Sequence, residues 1–124
     1  MAGSSGSLHE QGLSTETVDR HRAIVSIMEE LEAADWYDQR AKGATDDELR
    51  KILEHNRDEE KEHAAMALEW LRRRDKALDE HLRTYLFTEG SIVGREKSEK
   101  EGGESEKGDG SLGIGSLKDK GAAR

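Results

Sequence analysis

Two polar residues stand where an apolar stripe should admit none. At ~100° per residue, a helix drawn through Leu49 to Leu71 brings Leu49, Leu53, Ala64, Ala67 and Leu71 onto one arc, with Glu60 at its centre and His63 near its edge. Burying a carboxylate without a partner costs enough that the group neutralises or is replaced. The chain must therefore bring up a partner for Glu60 and His63, or use them to hold a metal.

Composition says where the fold lies. All five aromatic residues (Trp36, Tyr37, Trp70, Tyr85, Phe87) fall between positions 36 and 87, and Gly43 is the one glycine between 13 and 89. The folding unit is thus expected at 14–89, between a Gly/Ser-rich N-terminal arm, 1–13, and a C-terminal region of similar character. So short a segment buries little surface alone, and association with further copies is expected to complete its core. A net charge of −8 and a pI near 5.2 argue against a nucleic-acid partner and suit the concentration of cations. With no cysteine, disulfides and thiolate zinc sites are excluded. No apolar run approaches the ~18 residues of a membrane span, and the N-terminus lacks the regions of a signal peptide. The expected compartment is the cytoplasm, with no membrane partner.

Taken in order, the chain reads as all-α. A first helix is expected from Ser14 or Thr15 to about Lys42, capped by a hydroxyl and with Glu16 in its first turn. Ala23, Ile24, Ile27, Leu31, Ala34 and Tyr37 share one face at helical spacing, and Glu30 falls among them. The opposite face carries Arg22, Val25, Glu29, Glu32 and Trp36. Gly43 is placed to close the helix in a left-handed conformation, and Thr45 with Glu48 fits a capping box for the next. The second helix is expected from Asp46 to Arg74, ending in Arg72, Arg73 and Arg74. The tight turn makes the two an antiparallel hairpin whose apolar stripes face one another and a partner subunit. A shorter third helix is expected over Lys76 to Thr88, with Leu78, Leu82 and Tyr85 at i, i+4, i+7, packing across the hairpin or against a neighbour. From Gly90 the chain turns to Gly, Ser, Glu and Lys, a solvated linker over 90–110. Then SLGIGSLK brings Leu112, Ile114 and Leu117, an apolar peptide at the end of a tether that reads as a docking segment, before a short tail, 119–124.

Face-to-face packing of the two helices would unite Glu30, Glu60 and His63. Two acids and one histidine make half of a four-helix di-iron site, which uses four carboxylates and two histidines. A two-fold axis would supply the other half across a dimer interface. Carboxylate and imidazole suit iron(II), and two bridged metals can hand two electrons to dioxygen. The bland alternative is a hydrogen-bonded Glu60–His63 pair, or a register that turns both to water. Glu29, Glu32 and Trp36 could form an approach site for cations. His55, Glu59 and Glu62 have spacings that permit an outer metal site, although charge runs on helices are usually solvated faces. Tyr37, three residues beyond Ala34, either packs in the core or lies behind the metal ligands. A zincin is excluded: it needs His-Glu-x-x-His, and the nearest histidine upstream of His63 is His55, eight residues away. No Gly-rich phosphate loop or nucleophile elbow is present.

The segments ETVDRHRAIVSIMEELEAADWYDQR and HNRDEEKEHAAMALEWLRRRD, followed by HLRTYLFTEG, resemble the encapsulated ferritins of bacterial encapsulin nanocompartments over about Thr15 to Gly90. Ser111, Leu112, Gly113, Ile114, Gly115, Ser116, Leu117 and Lys118 separately resemble the peptide by which such cargo binds the inner face of the encapsulin shell. The resemblance implies a ferritin-like half-bundle, a two-helix hairpin plus a short C-terminal helix, completed to a four-helix bundle by dimerisation within an annular pentamer of dimers. It places iron ligands on Glu30, Glu60 and His63, approach-site acids on Glu29 and Glu32 beside Trp36, and an outer site on His55, Glu59 and Glu62.

The function so implied is a ferroxidase, with iron(II) and dioxygen as substrates, passing oxidised iron to the shell lumen for mineral storage. Glu60 would bridge two irons, with Glu30 and His63 as terminal ligands. The rival from another class is a non-catalytic helical assembly or adaptor protein with weak metal-binding surfaces.

Overall fold

A computed structural model describes residues 6–96. They form three helices, α1 (Thr15–Gly43), α2 (Asp47–Arg72) and α3 (Lys76–Tyr85), with a further helical turn at 92–96 and no strand among the described residues. None of these helices is long and apolar enough to cross a membrane. The chain divides into two compact units, with α1 and α2 in the first and α3 in the second.

Helix α1 begins where a hydroxyl can serve it. Ser14 stays extended, and its side chain accepts from the Thr17 amide at 3.1 Å. This satisfies one of the first-turn donors that a helix leaves unpaired. Upstream, His21 Nε2 lies 2.9 Å from the carbonyl oxygen of Gly6. Exposed pairs one turn apart, Arg22 with Asp19 and Lys42 with Asp38, run along the surface of α1.

The connection between the helices departs from expectation in two ways. Gly43 is the last helical residue rather than a left-handed cap; the chain leaves the helix through Ala44 in an extended conformation, whose amide reaches back to the Ala41 carbonyl. No left-handed residue is needed, because extended geometry already pairs that carbonyl. Asp46, not Thr45, caps α2, its carboxylate accepting from the Leu49 amide at 2.9 Å. An aspartate caps as well as a threonine and adds a negative charge at the positive end of the helix dipole. Arg50 then ties the turn down, donating to the Ala44 carbonyl at 2.9 Å and pairing with Asp47. Helix α2 ends at Arg72, two residues early, where the Arg73 amide returns to the Glu69 carbonyl and the Arg72 and Arg73 side chains both bind the Glu69 carboxylate.

A connection of three residues leaves α1 and α2 antiparallel and packed along their length. The buried side chains are small or late in the seam: Ala34 and Ala41 from α1, Ala64 and Leu71 from α2. Alanine at the contact lets the two backbones approach closely. Ala23, Ile27, Glu30, Tyr37, Leu53, Glu60 and Ala67 are half-buried. Ile24, Leu31 and Leu49, expected on the core-facing arcs, are instead 45%, 53% and 47% exposed in the single chain. One helix partner covers a narrower arc than the apolar stripes span, so each stripe has a covered centre and an open flank. The architecture is a ferritin-like half-bundle.

In the second unit, Leu78, Leu82 and Tyr85 of α3 are half-buried, as their spacing predicts. The helix stops three residues before Thr88. The Leu86 amide still bonds to Leu82, but Phe87 has φ 61 and the Thr88 hydroxyl takes the Tyr85 carbonyl at 2.7 Å. A left-handed phenylalanine cannot continue a right-handed helix.

Candidate metal centre

The seam delivers three ligand-type side chains to one place. Helix α1 contributes Glu30, and α2 contributes Glu60 and His63 one turn apart. His63 Nδ1 lies 3.4 Å from Glu30 Oε1 and 3.5 Å from Glu60 Oε1. One ligand atom from each residue lies within 4.8 Å of the others. Two donors bonded at ~2.1 Å to one ion are ~3.0 Å apart at a right angle and ~3.4 Å apart at the tetrahedral angle. The two distances from His63 Nδ1 lie close to the tetrahedral value for a first-row divalent ion. Two carboxylates and an imidazole, with no thiolate, form a donor set suited to iron, manganese or zinc. Three ligands from one chain leave further coordination positions to be filled.

The electrostatics point the same way. The Glu30 carboxyl is pushed above the usual range, first by its hydrogen bond with Glu60, then by burial and by the Glu60 charge; the nearby His63 pulls it down, less strongly. Burial presses the His63 imidazole downward, but the charge and hydrogen bond of Glu30, followed by those of Glu60, outweigh it, and its pKa lies above the ordinary value. Both groups hold protons tightly because they share a small, negative, partly dry space. A metal cation replacing those protons would meet the same atoms.

The other expected residues are placed differently. Glu29 and Glu32 are exposed, while Trp36 is half-exposed beneath the Arg40 guanidinium, which also covers the Tyr37 ring. His55 and Glu62 are exposed too. Among the described residues, no ion-holding group of three includes Glu29, Glu32, His55, Glu59 or Glu62. Glu59 turns toward the cluster instead, its Oε1 3.8 Å from His63 Nε2. The segment Ser111 to Lys118 lies outside the described residues, as does the linker beyond residue 96.

Sequence reasoning passed over Arg57, which crosses the seam to Asp38 with Nη1 3.0 Å from Oδ1 and also holds Asp58 at 2.9 Å. The signal was there: Arg57 lies seven residues before Ala64 and three before Glu60, on the apolar arc itself.

Residues 7–89 match the family model described as EncFtn-like. An encapsulated ferritin-like protein of Rhodospirillum rubrum is 63% identical over 129 aligned positions, spanning 95% of this chain and 92% of the relative. A ferritin-like protein of Thermotoga maritima is 56% identical over 96 positions, spanning 77% and 82% of the two chains. The crystal structure of a protein from Nitrosomonas europaea aligns with a TM-score of 0.68 at 58% identity, covering 71% of this chain and 98% of that one. The family model covers more than half of the chain and the R. rubrum relative nearly all of it, and the chain belongs to the EncFtn-like family of ferritin-like proteins.

Proposed function

We propose that this protein oxidises iron(II) to iron(III) with dioxygen at a di-iron site shared by two chains, each contributing Glu30, Glu60 and His63. The observation that carries the reading is the convergence of these three donors within 4.8 Å, with two acids facing each other across the seam. A second copy related by a two-fold axis would raise the set to four carboxylates and two histidines, the number used by ferritin-like di-iron sites. The open flanks of the apolar stripes, with Ile24, Met28, Leu31, Leu49, Ile52 and Met66 exposed, supply surface for that copy. Glu60 would bridge the irons, with Glu30 and His63 as terminal ligands to each. Each iron(II) would give one electron, two electrons with two protons carrying dioxygen to peroxide and four with four protons carrying it to water.

The wider reading follows the relatives. Further association into an annular pentamer of dimers would gather Glu29, Glu32 and Trp36 from neighbouring chains into approach sites, and His55, Glu59 and Glu62 into outer ones. Ser111 to Lys118 would dock the assembly inside an encapsulin shell in the cytoplasm, where oxidised iron is mineralised. The R. rubrum relative, named as encapsulated, supports this placement. Deleting Ser111 to Lys118 should leave oxidation intact and prevent capture by a co-expressed shell; equal capture would exclude docking by this segment.

The decisive experiment mixes anaerobic iron(II) with metal-free assembled protein, admits air, and follows ferric absorbance with oxygen uptake. The expected result is oxidation well above a protein-free control, with a fast phase saturating near two irons per dimer. A trace matching the control would leave an adaptor whose inward acids are structural.

A further inference from the structure

We infer that Glu59 is a positioning residue for His63: its carboxylate receives the Nε2 proton of the imidazole and so turns Nδ1 to the Glu30–Glu60 cluster. The inference rests on the metal-binding reading above and adds the histidine's orientation to it.

A neutral imidazole that ligates through one nitrogen carries its proton on the other, and the partner of that proton fixes the tautomer and the ring plane. In His63 the nitrogens face different surroundings. Nδ1 lies between two acids, 3.4 Å from Glu30 and 3.5 Å from Glu60, while Nε2 has Glu59 Oε1 at 3.8 Å. The donor end of the ring is therefore set by the cluster, and the far end by a third carboxylate. Helix geometry makes this arrangement natural. Glu60 and Glu59 stand three and four residues before His63, so the ring reaches back over the preceding turn with one acid on each side. Glu60 points into the seam with 23% of its side chain exposed, whereas Glu59, at 48%, sits on the rim.

At 3.8 Å the Glu59 contact is an ion-pair distance rather than a hydrogen bond. Functional hydrogen bonds are often long in the unliganded protein and tighten in the complex, and the role inferred for Glu59 requires its contact to do so. Once an ion displaces the Nδ1 proton, the one N–H left on the ring is Nε2–H, and Glu59 carries the acceptor nearest to it. A carboxylate in that position also raises the basicity of the ligating nitrogen. The role uses Oε1 of Glu59 and leaves its second oxygen for the outer site proposed above.

The test uses full-length protein with 15N-labelled histidine, loaded with Zn(II) as a diamagnetic probe, the His63 signals being identified by their loss in His63→Ala. The expected pattern is ligation at Nδ1 with a slowly exchanging Nε2–H proton. Glu59→Ala should remove that slow exchange and weaken Co(II) binding at the cluster by about tenfold. Glu59→Gln, whose amide oxygen still accepts, should restore both in part. Ligation through Nε2 in the unmodified protein overturns the inference, as does a Glu59→Ala protein with unchanged Nε2–H exchange and Co(II) affinity. So does a loss of bound ions in Glu59→Ala with the His63 signals unmoved, which would assign Glu59 to the outer site alone. If Zn(II) leaves His63 unmoved in the unmodified protein, the metal reading of Glu30, Glu60 and His63 fails and takes this inference with it.

Discussion

Helices α1 and α2 meet charge against charge at two levels, and the two contacts are opposites. Toward the turn, Asp38 faces Arg57, whose side chain is only 19% exposed, at 3.0 Å. Hydrogen bonds from Lys42 and Arg57 hold the Asp38 carboxyl below its usual range. Two turns back along α1, Glu30 faces Glu60 with His63 beside them, and there the carboxyl is pushed up. The same seam thus contains one contact completed by a guanidinium and one whose two acids have a single titratable imidazole between them. Identical helix geometry produced both, so the difference lies in residue choice alone. A protein built only for stability would have no reason to set Glu30 against Glu60.

The comparison breaks most sharply at Glu60. Glu60→Ala should abolish paired metal binding and the fast phase of iron oxidation, yet the metal-free protein should melt close to the parent, since relief of the Glu60 charge beside Glu30 offsets the lost hydrogen bond to Glu30 and the lost pairing with His63. Unchanged rapid oxidation in this variant would remove Glu60 from the site. Next in size is Ala34→Leu, one turn from Glu30 and almost fully buried. Overpacking of this kind costs about 1–3 kcal/mol, and forcing the helices apart should lower thermal stability and Co(II) affinity together. Retained affinity at reduced stability would mean the cluster does not depend on close helix approach.

The third prediction sets pH against metal. Because Glu30 and His63 both have raised values, protons compete with the ion, and Co(II) affinity should rise with pH through the His63 titration. Stability of the metal-free protein should move in the opposite direction. A His63 pKa raised in the folded state contributes stability that is fully present below the unfolded value near 6.5 and is lost as pH rises through the folded value. Melting curves and Co(II) titrations over the same pH series check the pair, and parallel trends would contradict it. The smallest effect belongs to Arg57→Met. Partly exposed ion pairs contribute modestly, so the melting midpoint should fall by a few degrees while metal affinity changes by less than about twofold.

The cluster was legible because a polar residue on an apolar stripe is an anomaly that helical periodicity exposes directly. Glu30, Glu60 and His63 each broke a pattern, and each pattern belonged to a single helix. The Asp38–Arg57 contact depends instead on the register between helices, which the length of the turn and the close approach at Ala34, Ala41 and Ala64 decide. Thr45 and Asp46 are neighbouring residues that can both cap; the Thr45–Glu48 spacing suggests a capping box, but aspartate is the stronger cap and takes the position. Periodicity gave the direction of the contact face but not its width, so Ile24, Leu31 and Leu49 were expected inside. The tilt of Glu59 toward His63 rather than toward His55 or Glu62 is a rotamer choice on an exposed face, which residue spacing does not determine.

The small core has a consequence for the life of the chain in a cell. With only Ala34, Ala41, Ala64 and Leu71 buried among the described residues, a solitary protomer has little to keep it folded. In the dimer proposed above, its folding would become a matter of mass action, since whatever binds the folded hairpin and not the open chain holds it folded. Chains made in excess of their partners would open often and be cleared by proteolysis. Abundance would then follow assembly, and orphaned acidic clusters able to hold a metal ion without a complete site would be short-lived.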